Sequence, residues 1–325
     1  MTYDNEKISI CLSVTDSNGS YWYHLIPMMT SVMCNTKKSL NWNIICDTSI
    51  SKQTRDVISR LVKAFDQEVS FFDVTNELDQ YYEMLPSLRI YSKATLYRFF
   101  IPKFVKGSRV IYLDIDIIAS LDVNELFSFD LHGKAIGAVL DAKQTRAIIA
   151  SAYGRMMQLN DKIYCNAGVL LIDVLALKKI KAKTSWQEYL SIHTKSTMPD
   201  QDAINSIYRE NIQLLPAKYN RIVSENYTMD RVEGNIWHFS GSADKAWNGI
   251  YCEAAKLYWK YLYLGLVKAN LMDTDIFIKL VDNIQYQKWP IERLLHTQNC
   301  SSGKMFIRAA VGRIKNIIVG RWINH

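Results

Sequence analysis

One stretch of this chain limits its fold more than any other: Val110-Ile111-Tyr112-Leu113-Asp114-Ile115-Asp116-Ile117-Ile118. An apolar, β-branched run of this length reads as a buried strand. Side chains two apart on a strand share a face, which predicts that Asp114 and Asp116 project together. Adjacent anions at the end of a buried strand repel each other and are costly to desolvate. A bound divalent cation with hard oxygen ligands, Mg²⁺ or Mn²⁺, is the cheapest compensation. The plain alternative is a strand that runs out into a solvated loop.

Strand-like and helix-like segments alternate around this run. Ile8 to Val14, Trp42 to Cys46, Glu68 to Val74, Ala135 to Leu140, Ala167 to Ile172 and Ile236 to Phe239 read as strands. Leu25 to Cys34, Ser51 to Phe65, Ser92 to Val105 and Asp200 to Tyr208 read as helices, with Pro102 interrupting the third or marking its end. Val57, Ile58, Leu61, Val62 and Phe65 form one apolar stripe. Such alternation predicts an α/β sheet sandwiched by helices. Ligands then bind beyond the carboxyl ends of the strands, where Asp16, Asp114, Asp116 and Asp141 fall.

With 325 residues the chain has room for one large domain, or one domain and an appendage. Its six cysteines form no C-x-x-C pair, so neither a zinc site nor a disulfide framework is indicated. The polar start, with Asp4 and Glu6, is unlike a signal peptide, and no apolar run is long enough to span a bilayer. A cytoplasmic setting is the expectation. The net charge of +7 comes with no nucleic-acid recognition motif, so nucleic acid is not an expected partner.

Three further segments carry chemistry. Asn166-Ala167-Gly168 precedes a buried run, and Gly168 permits close backbone approach by a ligand. Pro199-Asp200-Gln201-Asp202 opens a helix with more acid than a cap requires. Trp237-His238-Phe239-Ser240-Gly241, with Lys245 and Trp247 downstream, combines a metal-capable imidazole, a flexible loop and a cation suited to phosphate.

The order and content of these motifs, from Ile8 to Trp247, resemble the retaining nucleotide-sugar glycosyltransferases of family eight, the group of bacterial lipopolysaccharide galactosyl- and glucosyltransferases and glycogenin. The resemblance implies a GT-A (Rossmann-like) catalytic domain over 1–265, followed by a helical appendage over 266–325. It implies that Asp114, Asp116 and His238 hold Mn²⁺ or Mg²⁺ against the diphosphate of a UDP-sugar, with Ile115 between the acids also in the donor site. Asp16 resembles the family's uracil- or ribose-contacting acid. Asn18 matches a neighbouring nucleotide contact, across a loop that looks expanded. Arg98, Asp141, Asn166, Ala167, Asp200 and Gln201 match positions around the donor sugar, while Gly241 and Lys245 match the loop that closes on the diphosphate. That loop departs from the family's Gly-Pro-x-Lys-Pro-Trp: it reads Gly241-Ser242-Ala243-Asp244-Lys245-Ala246-Trp247, one residue longer and without prolines.

The implied activity is transfer of a hexose, glucose or galactose, to a glycan or lipid-linked acceptor of a bacterial surface polysaccharide, lipopolysaccharide or glycoprotein. Retention by double displacement needs a nucleophile. Gln201 is the nearest matching residue, and an amide is a poor nucleophile. Same-face attack is therefore favoured, with Asp141 and Asp200 as the carboxylate alternatives. Two rivals stand beside this. Asp-x-Asp after a hydrophobic strand also opens haloacid-dehalogenase-type phosphatases, with the first Asp as nucleophile. A catalytically silent nucleotide-sugar-binding module is the other. Near the C-terminus, Lys304, Arg308, Arg313, Lys315 and Arg321 accompany an apolar stripe from Met305 to Trp322. That basic amphipathic pattern suits an anionic membrane surface, and would place the chain peripherally on the inner face of the cytoplasmic membrane. A helix packed on the main domain is the alternative.

Overall fold

The computed structural model describes residues 7–272, apart from 20, 79–84, 86, 88–91, 181–182, 227, 230, 242–244 and 249–251. The appendage beyond residue 272, including the basic stripe over 305–322, lies outside the described residues. Ten strands are described: β1 (Ile8–Val14), β2 (Leu40–Cys46), β3 (Glu68–Asp73), β4 (Arg109–Leu113), β5 (Ile117–Ala119), β6 (Ile136–Leu140), β7 (Cys165–Asp173), β8 (Ile212–Leu214), β9 (Arg221–Ile222) and β10 (Ile236–His238). The helices that matter most to the site are α1 (Leu25–Asn35), α2 (Lys52–Ala64), α3 (Ala94–Tyr97), α4 (Pro199–Ile207) and α5 (Glu253–Lys268).

Seven strands form one sheet in the order β3-β2-β1-β4-β7-β6-β8. β1 pairs in parallel with β2 on one side and β4 on the other. The strand order therefore reverses at β1, and the crevice beyond the carboxyl ends of β1 and β4 is a topological switch point, where ligands of such sheets bind. β7 runs antiparallel to both β4 and β6, so the sheet is mixed. This arrangement is the GT-A fold anticipated from the motifs.

Alternation along β1 explains how the sheet is covered. Ile8, Ile10, Leu12 and Val14 enter the core beneath α1, α2 and α5, while Cys11 enters the core on the other face with Tyr112 and α3. Burying each large aliphatic side chain is worth about 1.5–3 kcal/mol. α2 follows its sequence pattern closely. Ser51 caps it by accepting from the Thr54 N–H at 3.1 Å, and Val57, Ile58, Leu61 and Val62 are its buried stripe. The helical stretch read over Ser92 to Val105 is divided: α3 gives way to a 3₁₀ turn, Arg98–Phe100, and then a short helix, Ile101–Phe104, that admits Pro102 in its first turn. α5 packs on α1 and runs across position 265, the border expected between domain and appendage. Among the described residues no helix is long and apolar enough to cross a membrane.

The two-Asp run is not one strand. β4 stops at Leu113, Asp114 to Asp116 form a turn, and Ile117 opens β5 in a second sheet, ordered β5-β10-β9. The two carboxylates therefore converge through a turn and not by sharing a strand face. β10 pairs antiparallel to β5, with His238 opposite Ile117, and parallel to β9, with His238 opposite Ile222. Asn166 does not precede its strand. It lies inside β7, whose irregular register with β6 near Ala138 and Leu140 frees the start of the strand for side-chain hydrogen bonds.

Candidate functional site

The turn after β4 and the end of β10 bring three potential ligand residues together. Asp114, Asp116 and His238 each offer an atom within 4.8 Å of the others. His238 Nε2 is 3.2 Å from Asp116 Oδ1 and 4.0 Å from Asp114 Oδ2. His238 and Asp116 are buried, whereas Asp114 is partly open. Asp116 also pairs with Lys245 through its other oxygen. Burial alone would raise the Asp116 carboxyl, but Lys245 and His238 outweigh it and hold the group well below the ordinary carboxylate range. The Phe239 N–H donates to the Asp116 carbonyl at 2.9 Å, and the Asp114 N–H to the Gly168 carbonyl at 2.8 Å, so both acids have anchored backbones.

Gly168 has a use within the protein beside the ligand approach read in the sequence. A side chain there would overlap the His238 ring and sit 2.9 Å from Asp114 Oδ2. The missing side chain makes room for the imidazole.

A second group lies beside the first. Arg98 is buried, donates to Asp114 Oδ1 at 3.0 Å, and lies 3.2 Å from Asp200 Oδ2. It also donates to the Ala167 carbonyl, and its guanidinium stacks 4.4 Å from the Tyr112 ring centre. Burial opposes its charge, but Asp114 and Asp200 more than compensate, so it stays a cation. Tyr112 adds a hydroxyl donor to Asp114 Oδ1 at 2.9 Å. Gln201 accepts from the Ala167 N–H at 2.9 Å and donates to Asp141 Oδ2 at 2.7 Å. Asn166 reaches Asp141 Oδ1 at 3.3 Å. Burial pushes the Asp141 and Asp200 carboxyls above their usual range.

Not every residue singled out from the sequence joins these groups. Asn18 is exposed in the turn after β1. The Asp16 carboxylate accepts from the Tyr21 and Trp22 N–H groups, at 2.9 and 3.2 Å, and so caps the 3₁₀ turn Tyr21–His24. The Ile115 side chain enters the core. Gly241 takes the left-handed conformation, φ +88°, at the start of the segment that leads to Lys245. Asp202 turns away from Gln201 and accepts from Tyr153, Tyr164 and Ser196, which makes it a clamp on α4. Three participants were not evident from the sequence. Tyr112 and Asn220 contact the candidate ligands directly. His24 stacks on Trp247, centroids 3.7 Å apart, and its Nδ1 lies 2.6 Å from the Tyr258 hydroxyl.

Comparison with known proteins agrees with this arrangement. The model of glycosyl transferase family 8 matches residues 12–251. The glycosyltransferase GlyF of Streptococcus pneumoniae is 27% identical over 265 residues, covering 78% of this chain. The matched region spans only 62% of that relative's length. A lipopolysaccharide 1,2-glucosyltransferase of Escherichia coli K12 is 25% identical over 263 residues, covering 75% of each chain. Among solved structures, the galactosyltransferase LgtC, crystallised with donor and acceptor sugar analogs, superposes with a TM-score of 0.65 at 20% identity, covering 78% of this chain and 95% of that one. The family match takes in β4, the turn after it, β7, α4 and β10, the elements that build both groups of polar residues, and on that extent this chain belongs to glycosyl transferase family 8.

Proposed function

We propose that the chain is a metal-dependent, retaining hexosyltransferase that moves glucose or galactose from a UDP-sugar to a glycan acceptor of a bacterial surface polysaccharide, lipopolysaccharide or glycoprotein. One observation carries this: Asp114, Asp116 and His238 converge within 4.8 Å. The names of the relatives, a lipopolysaccharide glucosyltransferase and a galactosyltransferase solved with donor and acceptor sugar analogs, support the class of both substrates.

Two carboxylates and an imidazole whose Nε2 faces them fit Mn²⁺ or Mg²⁺. A divalent cation, when bound there, offsets charge on a departing diphosphate. Lys245 supplies a second positive charge at the same place, on a segment that Gly241 allows to turn. Arg98, Asp141, Asn166, Ala167, Asp200 and Gln201 form the sugar side. Asp16 and Asn18, beyond the end of β1, mark the nucleotide side. Gln201 is an uncharged amide whose oxygen already accepts from Ala167, so it is a weak nucleophile. Asp141 and Asp200, the carboxylate alternatives, are engaged by Gln201 and Arg98. These contacts favour same-face attack, in which the leaving phosphate takes the acceptor's proton. We extend the proposal to a lipid-linked acceptor, with the basic residues Lys304 to Arg321 holding the chain on an anionic membrane; vesicles with and without anionic lipid test that contact.

The test is a panel of UDP-sugars with Mn²⁺, scored by UDP released. Asp116→Ala should lower turnover at least about 10²-fold, as loss of a transition-state charge partner does. Full transfer in excess EDTA would sink metal dependence. Rapid phosphate release from simple phosphomonoesters, with no response to UDP-sugars, would restore the phosphatase, an alternative that the family match does not favour.

A further inference from the structure

Asn220 follows a 3₁₀ turn, Ala217–Tyr219, and precedes β9; it is buried, at 2% exposure. Its Oδ1 lies 2.9 Å from His238 Nδ1, and its Nδ2 lies 2.9 Å from Asn166 Oδ1. The direction of these bonds follows from the backbone. The Gly168 N–H can only donate, and it meets Asn166 Oδ1 at 2.9 Å. Asn166 therefore presents its oxygen there, and the Asn220 group that faces it is the amide NH₂. The Asn220 oxygen must then face His238, so His238 Nδ1 carries the proton. That leaves Nε2 as the ring atom facing Asp114 and Asp116, able to give its lone pair to a cation that displaces any proton there.

The other end of the chain of bonds is anchored in the same way. The Ala167 N–H donates to Gln201 Oε1, which leaves the Gln201 NH₂ for Asp141. Asn166 NH₂ reaches the second Asp141 oxygen. Adjacent N–H groups on β7 thus set the polarity of an amide relay from His238 to Gln201.

We propose that Asn220 is a positioning residue with two separable tasks: its oxygen holds His238 in the metal-binding tautomer, and its NH₂ holds Asn166 for the sugar pocket. This rests on the reading of His238 as a metal ligand. Groups that orient a ligating histidine are typically worth about 10–100-fold in metal affinity.

Two variants separate the tasks. Asn220→Ala removes both partners, and Mn²⁺ affinity, measured by the spin-resonance signal of free Mn²⁺, should fall about 10–100-fold. Asn220→Asp keeps an acceptor for the His238 Nδ1–H but offers Asn166 no donor. It should bind Mn²⁺ at wild-type strength or tighter, yet lose kcat on the UDP-sugar that the wild type turns over. Near-wild-type affinity in the alanine variant overturns the proposal. So does equal loss of affinity in both variants, which would make Asn220 a packing residue. If the alanine variant does not fold, the aspartate variant decides: affinity kept with kcat reduced supports the proposal, and affinity lost overturns it. A wild-type protein that binds no Mn²⁺ would instead remove the ligand assignment of His238, and this inference with it.

Discussion

Residue 168 has no room for a side chain, because the His238 ring fills that volume. Gly168→Ala should push the imidazole off Asn220 and out of line with Asp116. We expect a loss of about 1–3 kcal/mol in urea unfolding, as for other overpacked sites, together with weakened Mn²⁺ binding. His24 gives a second residue-scale outcome. Its pKa is lowered from 6.5 to about 3, by burial first and by the nearby Lys245 charge second, with Asp116 opposing. The unfolded chain therefore takes up the proton near pH 6.5, while the folded one resists it. The His24 contribution is complete above pH 6.5 and is lost as pH falls from there toward 3, by at most about 1.4 kcal/mol per unit. Unfolding measured from pH 7.5 to 5 should show this slope, and His24→Gln should flatten it. An unchanged slope in that variant would assign the pH dependence elsewhere.

At the scale of elements, α5 seats on α1 through Gly265, where an added Cβ would meet Ile26 Cγ2 at 2.8 Å. Gly265→Val should destabilise the domain by about 1–3 kcal/mol, measurable as a lower urea midpoint at unchanged slope. A neutral result would mean that the two helices can separate at little cost. α5 was missed in the sequence for a physical reason: Cys252 precedes it without a side-chain cap, and aromatic residues on several sides blur its stripe. β1 and α2 were legible because each keeps one period from end to end. β4 and β5 were read as one strand because hydropathy records burial, not sheet membership, and both flank the turn with fully buried residues. Asp114, Asp116 and His238 were still found, since their chemistry marks them wherever the turn falls. Asn220 carries no such mark. Its partners lie 18 and 54 positions away: the register of β9 beside β10 brings His238 near, and Asn166 comes from β7 of the large sheet. Asp202, grouped with the site by adjacency, is drawn instead to Tyr153 and Tyr164.

For the molecule as a whole, the decisive feature is where the chain changes sheets. β4 belongs to the large sheet and β5 to the small one; Asp114 and Asp116 lie on the turn between them, while His238 ends β10 in the small sheet. A cation held by these three residues would act as a rivet through the seam, and the work of prising the sheets apart would include evicting it. Mass action then makes heat resistance a gauge of ion supply: at one hundred times Kd the folded form gains about 2.7 kcal/mol, and about 4.1 at a thousand. The melting temperature should climb with Mn²⁺ and level off only where the ion no longer discriminates between folded and unfolded chains. Asp116→Ala should leave the melting curve indifferent to the ion. If these residues hold such an ion, a cell short of it would keep this protein closer to unfolding.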